Sequence, residues 1–382
     1  MRNIAKIALV FGVFILSCKP ELENNKSSIQ KYWESLDSSS FSVYLGGAVA
    51  EQNKFTHYIT ADIETDAVAS APKVDAADDP AIWVNTQNPA NSLVLGTNKK
   101  GGIHVYNMEG KELQYLPVGC MNNIDLRDGF KYNNQEVVLV AATNCTLNTI
   151  SLFYIDKNTL KLSDTILNIK TNVDLVYGLC MYKSPVNNSF YVFVNGEGAD
   201  VEQWKITSEN EAITINLARS FKVSSRPEGM VADDIEKVLY IGVEEEGILK
   251  VNAEPESVFE NIWVTGSNPP ENNISSDIEG LGIYKTAEKT YLIASSQGNF
   301  SYALFEIGNP DKFITSFIIK DAQMDGVEET DGLDIVNFPL SDKFPKGMMV
   351  FHDGFNFRND TIQAQNFKYI SWEKIEKLIN GL

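Results

Sequence analysis

The segment Asp78-Asp79-Pro80-Ala81-Ile82 decides the fold, because segments of the same kind recur along the rest of the chain. Each copy starts with an acidic or polar residue and continues into small and apolar residues. The starts of successive copies are 45, 54, 51, 51 and 52 positions apart. A period near 50 residues is typical of propellers and other repeat arrays. The five later copies begin at Asn123, Tyr177, Glu228, Glu279 and Asp331.

Each copy is followed by further apolar runs that are typical of β-strands. After the first copy these runs are Leu93–Thr97, the more alternating Ile103–Tyr106 and the outer Leu113–Leu116. Four strands per repeat and six repeats predict an all-β fold, a six-bladed β-propeller with four-stranded antiparallel blades. A pair of β-sandwiches is the alternative, but that fold does not predict a steady period of about 51 residues.

The last repeat ends before its fourth strand, so the ring needs a strand from the other end of the chain. Either Phe41–Val49 or Thr56–Ile63 is suited to supply it. The apolar residues of Trp372–Ile379 have helical spacing, which predicts a short helix at the C-terminal end.

The N-terminal residues predict an exported lipoprotein. A positive start is followed by the apolar run Ile7–Leu16, which is too short to span a bilayer, and then by Ser17-Cys18. We expect residues 1–17 to be a signal peptide, Cys18 to be lipidated, residues 18–40 to form a polar tether and residues 41–382 to form the propeller. An ordinary secretory signal is the alternative. The expected location is the bacterial cell envelope, with the lipid as the only membrane contact.

The charge balance limits the partners. The chain has 51 acidic against 32 basic residues and a formal net charge of −19, which argues against nucleic acid. Its three histidines disfavour a histidine-rich zinc site. We expect a monomer.

The repeat starts should meet in space, because the inner strands of a propeller surround one channel and begin at the same mouth. So many carboxylates would repel one another unless cations neutralised them, and calcium accepts irregular oxygen coordination. Each residue alone is better explained as a surface-loop carboxylate or a strand-end cap, but the common register of the set favours a cluster of several Ca²⁺ ions. The converging set is Asp78, Asp79, Asn123, Asp125, Tyr177, Glu228, Glu244, Asp277, Glu279, Asp325 and Asp331.

A metal cluster at a channel mouth attracts anions, and phosphate esters are the obvious class. Lys99 and Lys100 follow a second strand and would add positive charge, although a solvated hairpin turn explains them equally well.

Six motifs lie in order along the chain: Asp75–Trp83, Gly96–Gly102, Asn122–Arg127, Asp277–Leu281, Ala294–Asn299 and Thr330–Asp334. These motifs strongly resemble the β-propeller phytases, and the likeness runs from about Glu64 to Trp372. The resemblance implies removal of phosphate from phytate, myo-inositol hexakisphosphate, by attack of a calcium-activated water.

The resemblance also implies roles for individual residues. Lys99, Lys100 and Tyr177 would contact phosphate, and Lys99, Tyr177, Glu228 and Asp331 would form the catalytic group. Trp83 and Trp204 are interpreted as blade core. The implied calcium ligands are Glu64, Asp78, Glu228, Glu244, Asp277, Glu279, Asp325 and Asp331.

The chain departs from the family at three cationic positions. Cys145 stands where the family usually has a phosphate-binding Arg, Glu197 where it usually has a Lys, and Cys120 where it usually has a basic residue. Losing an Arg removes a bidentate phosphate contact. We hypothesise a Cys120–Cys145 disulfide, with two separately packed thiols as the alternative. Cys180 is interpreted as a buried structural thiol.

These departures leave two functions open. The first is a calcium-dependent phosphomonoesterase acting on phytate or a related calcium-chelated substrate. The second is a calcium-binding, non-catalytic propeller that captures phosphate compounds or a protein partner at the cell surface. Other propeller enzymes, such as lactonases, are a distant third.

Overall fold

The computed structural model describes residues 26–209 and 212–382, in which six antiparallel sheets surround a central channel. Each sheet begins with an inner strand that is followed along the chain by the strands next to it, as a propeller requires. The predicted all-β, six-bladed propeller is therefore confirmed. Apolar clusters fill the spaces between neighbouring blades. Trp83 is buried in one of them and Trp204 packs against another, as expected for blade core.

The first three blades follow the predicted runs closely. Blade 1 contains Ala77–Trp83, Leu93–Asn98, Gly102–Tyr106 and Glu112–Leu116. Blade 2 contains Met121–Tyr132, Gln135–Asn144 and Thr149–Asp156, with the short outer strands Lys161–Leu162 and Leu167–Lys170. Blade 3 contains Val176–Lys183, Phe190–Gly196, Asp200–Glu209 and Ala212–Lys222.

The last three blades complete the ring. Blade 4 contains Pro227–Asp233, Val238–Val243, Gly247–Asn252 and Ile262–Trp263. Blade 5 contains Ile278–Lys285, Thr290–Ser296, Ser301–Ile307 and Lys312–Lys320. Blade 6 contains Leu333–Val336, Met348–Asp353 and Asn366–Ser371, beside a small hairpin of Phe357–Arg358 and Thr361–Ile362. Short 3₁₀ turns lie at Pro89–Asn91, Glu271–Asn273 and Gln297–Asn299.

The N-terminal part of the chain closes the ring as predicted, but the closing strand overlaps the predicted segment Thr56–Ile63 only at Ile63. The strand Ile63–Glu64 pairs antiparallel with Asn366–Ser371 and is the fourth strand of blade 6. Tyr58–Thr60 runs parallel to the outer strand of blade 5. The other candidate, residues 41–49, lies in a helix instead. The predicted C-terminal helix is present as Glu373–Asn380.

The tether prediction differs from the structure from residue 26 onward. Helix α1 (Ser28–Glu34) and helix α2 (Ser40–Gln52) pack against blades 5 and 6. The segment is polar in overall composition, but its apolar residues Ile29, Trp33 and Leu36 recur at helical spacing. Ile29 is fully buried against the propeller. The predicted signal peptide, Cys18 and the first part of the tether lie outside the described residues. Within the described part of the chain, no helix has the length and apolar character needed to cross a membrane.

A β-bulge lies at the repeat start of each of the first five blades. The pairing of inner and second strands shifts there, for example between Pro227 and Met230 in blade 4, so Glu228 and Gly229 stand opposite no partner. A bulge re-aims side chains and is common beside functional sites. The propeller mouth therefore carries the same irregularity repeatedly around the channel.

The glycine after several repeat starts has a steric cause. A Cβ at Gly178 would overlap the carbonyl oxygen of Glu228, and one at Gly229 would overlap that of Glu279. Each glycine thus lets the next blade's bulge approach, which packs the repeat-start residues into one continuous rim.

Cys120 and Cys145 form a disulfide across the top of blade 2, with Cα atoms 5.3 Å apart, whereas Cys180 is buried and free. The bridge closes a loop of sequence separation 25. We expect its reduction to lower the free energy of unfolding by about 3 kcal/mol, because the unfolded chain regains loop entropy. Urea unfolding with and without reductant measures this change.

The control for that experiment is the Cys120→Ser, Cys145→Ser double variant, which should not respond to reductant. Mass spectrometry of unreduced peptides should show the linked pair. Two free thiols in the oxidised protein would contradict the bridge.

Candidate metal and phosphate site

Three glutamates from neighbouring blades form the centre of the site. Glu228 begins the inner strand of blade 4, Glu279 occupies the same place in blade 5, and Glu244 follows the second strand of blade 4. One carboxylate oxygen from each lies within 4.8 Å of the others, and all three residues are buried. Oε2 of Glu228 and Oε2 of Glu279 accept no hydrogen bond from the described residues. Buried oxygens without partners suit a hard cation such as Ca²⁺.

The three carboxyl groups attract protons strongly when no cation is bound. Burial raises the pKa of Glu244 to about 7, although Arg226 acts in the opposite direction. Burial also raises the pKa of Glu228. For Glu279, burial and the neighbouring Glu228 raise the pKa well above its ordinary value. The site therefore concentrates negative charge that water cannot solvate.

Lys99 forms a second centre at the same mouth. Its Nζ lies 2.8 Å from Asp75 Oδ1, 3.1 Å from Asp78 Oδ2 and 2.8 Å from Asp331 Oδ2. Burial alone would lower the pKa of Lys99, but the three carboxylates outweigh it and raise that pKa. Lys99 thus brings the first and last repeat starts together.

Asp331 is held ionised by its surroundings. Burial would raise its pKa, but the charge of Lys99 outweighs this effect, and the pKa lies below its ordinary value. The backbone N–H of Asp331 donates to Nδ1 of His352, 3.1 Å away, and the Gln297 amide donates to the Asp331 carboxylate. Burial lowers the pKa of His352, which agrees with a neutral imidazole accepting at Nδ1. His352 and Gln297 were not identified from the sequence.

Tyr177 links the two centres. It begins blade 3 beside Glu228, and burial together with the Glu228 and Glu279 charges raises the pKa of its hydroxyl. Arg226, which the sequence analysis also missed, lies over the Tyr177 ring with its Cζ 4.5 Å from the centroid. Its Nε lies 2.9 Å from Glu244 Oε1. Because its pKa is raised, the Tyr177 hydroxyl stays protonated and can donate a hydrogen bond.

Two of the predicted calcium ligands lie in a separate group. Nζ of the fully buried Lys368 lies 3.0 Å from Glu64 Oε2, 2.5 Å from Asp325 Oδ1 and 3.3 Å from Asp353 Oδ2. Arg358 also approaches Glu64, at 3.5 Å. A lysine ammonium thus occupies the centre of this group and forms ion pairs with both carboxylates that the resemblance assigned to calcium. The oxygens at Glu228, Glu244 and Glu279 suit a metal better.

The other predicted residues are dispersed. Asp277 is half-buried near Arg226. Burial raises the pKa of Asp277, and the charge of Arg226 reduces this effect without reversing it. Lys100 is exposed. Asp79 and Asp125 point into the channel, where they accept from the backbone N–H groups of Ile124 and Met181 in the next blade. They join blades and do not reach the mouth cluster.

A cavity of about 650 Å³ opens over the Lys99 centre. Lys99, Tyr177, Glu279 and Asp331 line one side of it. The other side is aromatic and comes partly from the N-terminal helices, which contribute Tyr32 and Phe41. Lys73 also lines it, with Nζ 5.5 Å from the Tyr32 ring centroid. These wall residues gave no signal in the repeat pattern, because they lie outside the repeats.

A family model described as Phytase matches residues 30–381. The chain belongs to the Phytase family. It is 41% identical over 349 residues to the 3-phytase of Bacillus subtilis (strain 168), with 89% of each chain covered. These findings confirm the resemblance to the β-propeller phytases. A solved luciferin-regenerating enzyme shares only the fold, with a TM-score of 0.51 and 8% identity over 80% of this chain and 94% of that one.

The raised pKa values predict how stability depends on pH. Between the ordinary glutamate pKa of 4.5 and the value of about 7 at Glu244, the folded metal-free protein binds more protons than the unfolded chain. Its stability in chelator should therefore fall as the pH rises through this range. Added calcium should raise the melting temperature more at about pH 8 than at about pH 6, because ligation requires deprotonated carboxylates. Differential scanning fluorimetry measures both effects. An equal calcium shift at the two pH values would contradict these carboxylates as the binding groups.

Proposed function

We propose that this chain is a calcium-dependent phosphomonoesterase that hydrolyses phytate by attack of a metal-activated water. Membership of the Phytase family and the identity with a 3-phytase support phosphoric monoester hydrolysis. The observation that carries the calcium part is the close, buried group of Glu228, Glu244 and Glu279 with its unpartnered oxygens.

The residues at the channel mouth would have separate roles in phosphate hydrolysis. Glu228, Glu244 and Glu279 would hold calcium, which when bound neutralises phosphate charge and activates a water for attack at phosphorus. Lys99 holds Asp78 and Asp331 in place and favours the ionised form of Asp331. The Tyr177 hydroxyl, kept protonated, is placed to donate to a phosphate oxygen. The aromatic wall of the cavity, which includes Tyr32 and Phe355, would limit access of bulk water to this surface.

The substrate would reach the site as a calcium complex, since the rim itself is acidic. The chain would act as a monomer held to the bacterial cell envelope by a lipid on Cys18. These proposals agree with the acidic composition and the N-terminal sequence.

Phosphate release from phytate by the purified protein tests the proposal. We expect release in the presence of calcium and its loss with a calcium chelator, followed by recovery when calcium is restored in excess. Absence of release over a range of calcium concentrations would refute the enzymatic function.

The non-catalytic calcium-binding propeller remains the second candidate, and specific observations favour it. Cys145 lies in a disulfide, Glu197 is exposed and acidic, and Lys99 is bound by three carboxylates. Calcium binding without phosphate release would support this function. Restoring the family residues in a Cys145→Arg, Glu197→Lys variant would then test whether the missing phosphate contacts are the cause.

A further inference from the structure

We propose that Arg226 is a phosphate-binding residue of this site and supplies the guanidinium that position 145 no longer provides. The inference rests on the proposed phosphomonoesterase function and names a residue that acts within it. Arg226 immediately precedes the inner strand of blade 4, two residues before Glu228. The bulge that turns Glu228 towards the mouth therefore also sets the position of Arg226.

The side chain of Arg226 is fixed at one edge and free at the other. Its Nε lies 2.9 Å from Glu244 Oε1, and its Cζ lies 4.5 Å from the centroid of the Tyr177 ring. The two terminal nitrogens donate no hydrogen bond to the residues that the structure describes. A guanidinium held by stacking and one ion pair is preorganised, so it loses little entropy when a phosphate binds. The side chain is 43% exposed, so a small anion can reach this fork beside Glu244 and Tyr177.

Two contacts place Arg226 at the metal cluster. Its ion pair is with Glu244, one of the three clustered glutamates, and its ring contact is with Tyr177, which lines the cavity. A phosphate that bridges calcium at these glutamates would therefore lie within reach of the free guanidinium edge. Arg binds phosphate through two parallel N–H donors, a geometry that a lysine does not reproduce.

Other cations near the mouth are less suited to this role. Lys99 already contacts three carboxylates, and within the described residues the Lys100 side chain makes no ion pair or ring contact that would hold it beside the three glutamates. Position 145 is a disulfide cysteine. Lys73 lies over Tyr32 on the opposite wall. Among these cationic residues of the described chain, Arg226 combines contact with the Tyr177 ring and N–H donors that have no hydrogen-bond partner.

The test compares Arg226→Gln, Arg226→Lys and the control Arg358→Gln in the full-length protein with saturating calcium. Arg358 is a matched control because it also pairs with a carboxylate, but that carboxylate is Glu64 of the separate Lys368 group and the Arg358 side chain is 72% exposed. Inorganic phosphate is the probe, and its dissociation constant is measured by calorimetry. Calcium affinity is measured separately, and KM and kcat for phytate are measured where phosphate is released.

Arg226→Gln should weaken phosphate binding and raise KM by about 10- to 100-fold, because a charge-assisted pair is lost. Arg226→Lys should recover only part of this loss, and Arg358→Gln should bind phosphate like the unaltered protein. Calcium affinity should be unchanged or increased in Arg226→Gln, since Glu244 loses a competing cation.

Two results would overturn the inference. In the first, Arg226→Gln binds phosphate within about twofold of the unaltered protein while its calcium affinity rises, which would make Arg226 only a counter-ion of Glu244. In the second, the unaltered protein with calcium binds no phosphate at all. Phosphate binding with normal Arg226 dependence but without turnover would support the inference and refute the enzymatic proposal, so the two failures are distinguishable.

Discussion

Replacing Glu228 by Gln is expected to lower kcat/KM for phytate by at least about 100-fold. Substituting residues that only support the ligands of a metal already lowers metal affinity or activity by about 10- to 100-fold, and Glu228 is itself one of the three proposed ligands. Its carboxylate belongs to the three-glutamate group and has an oxygen without a hydrogen-bond partner in the described chain. The amide keeps the shape of the side chain and removes its charge. Calcium titration by calorimetry and phosphate release measure the two losses.

The same substitution should have the opposite effect on the metal-free protein. Burial raises the pKa of Glu228, so its ionised form destabilises the fold when no cation is bound. In chelator at about pH 8, Glu228→Gln should therefore melt at a higher temperature than the unaltered protein. Glu236→Gln is the control, because Glu236 is an exposed carboxylate paired with Lys285. Unchanged calcium affinity in Glu228→Gln would contradict the assigned metal centre.

Replacing Lys368 by Met is expected to destabilise the fold by about 3–5 kcal/mol, because removing one member of a buried ionic group leaves the others uncompensated. Lys368 is fully buried and contacts the carboxylates of Glu64, Asp325 and Asp353. Burial already raises the pKa of Asp353 to about 8, and without the ammonium these groups should take up protons. Chemical unfolding at about pH 8 should show the largest loss, and lowering the pH should reduce it.

The control for this prediction is Lys289→Met. Lys289 and Glu306 form an ion pair of similar length, 2.8 Å, but the lysine side chain is 46% exposed. Exposed pairs contribute at most about 1 kcal/mol, so this variant should remain close to the unaltered protein. Equal effects of the two substitutions would show that burial of the Lys368 group does not determine its importance.

The two predictions separate groups that look identical in sequence. The resemblance to the phytases implies the same role, that of a calcium ligand, for Glu64, Asp325 and Glu228. The structure places Lys368 against the first two, whereas the described residues place Arg226 against Glu244 of the three-glutamate group and no ion pair at Glu228. We therefore expect charge removal to change calcium binding at Glu228, and the loss of Lys368 to change folding.

The repeat alone determined the propeller, because a fixed period and strand-like runs depend only on local sequence. It also identified Asp78, Glu228, Glu279 and Asp331 as residues of one mouth, since inner strands of a closed ring start at the same end. A glycine follows several of the repeat starts in the sequence. Only the structure shows why: Gly178 and Gly229 leave room for the backbone of the next blade. Ring closure was limited to two segments, and pairing with Asn366–Ser371 selected one.

Tertiary structure alone decided which charges meet. Lys368 forms ion pairs with Glu64 and Asp325. These residues lie 304 and 43 positions away from it along the chain. Arg226 contacts Tyr177 across a blade boundary, and the N-terminal helices add an aromatic wall that the repeats do not contain. A repeat pattern fixes which residues start each blade, but the sign and distance of neighbouring charges depend on side chains brought together from different blades. For that reason the sequence by itself determined the propeller and the acidic mouth, and only the packed ring decided which carboxylates remain free for a cation.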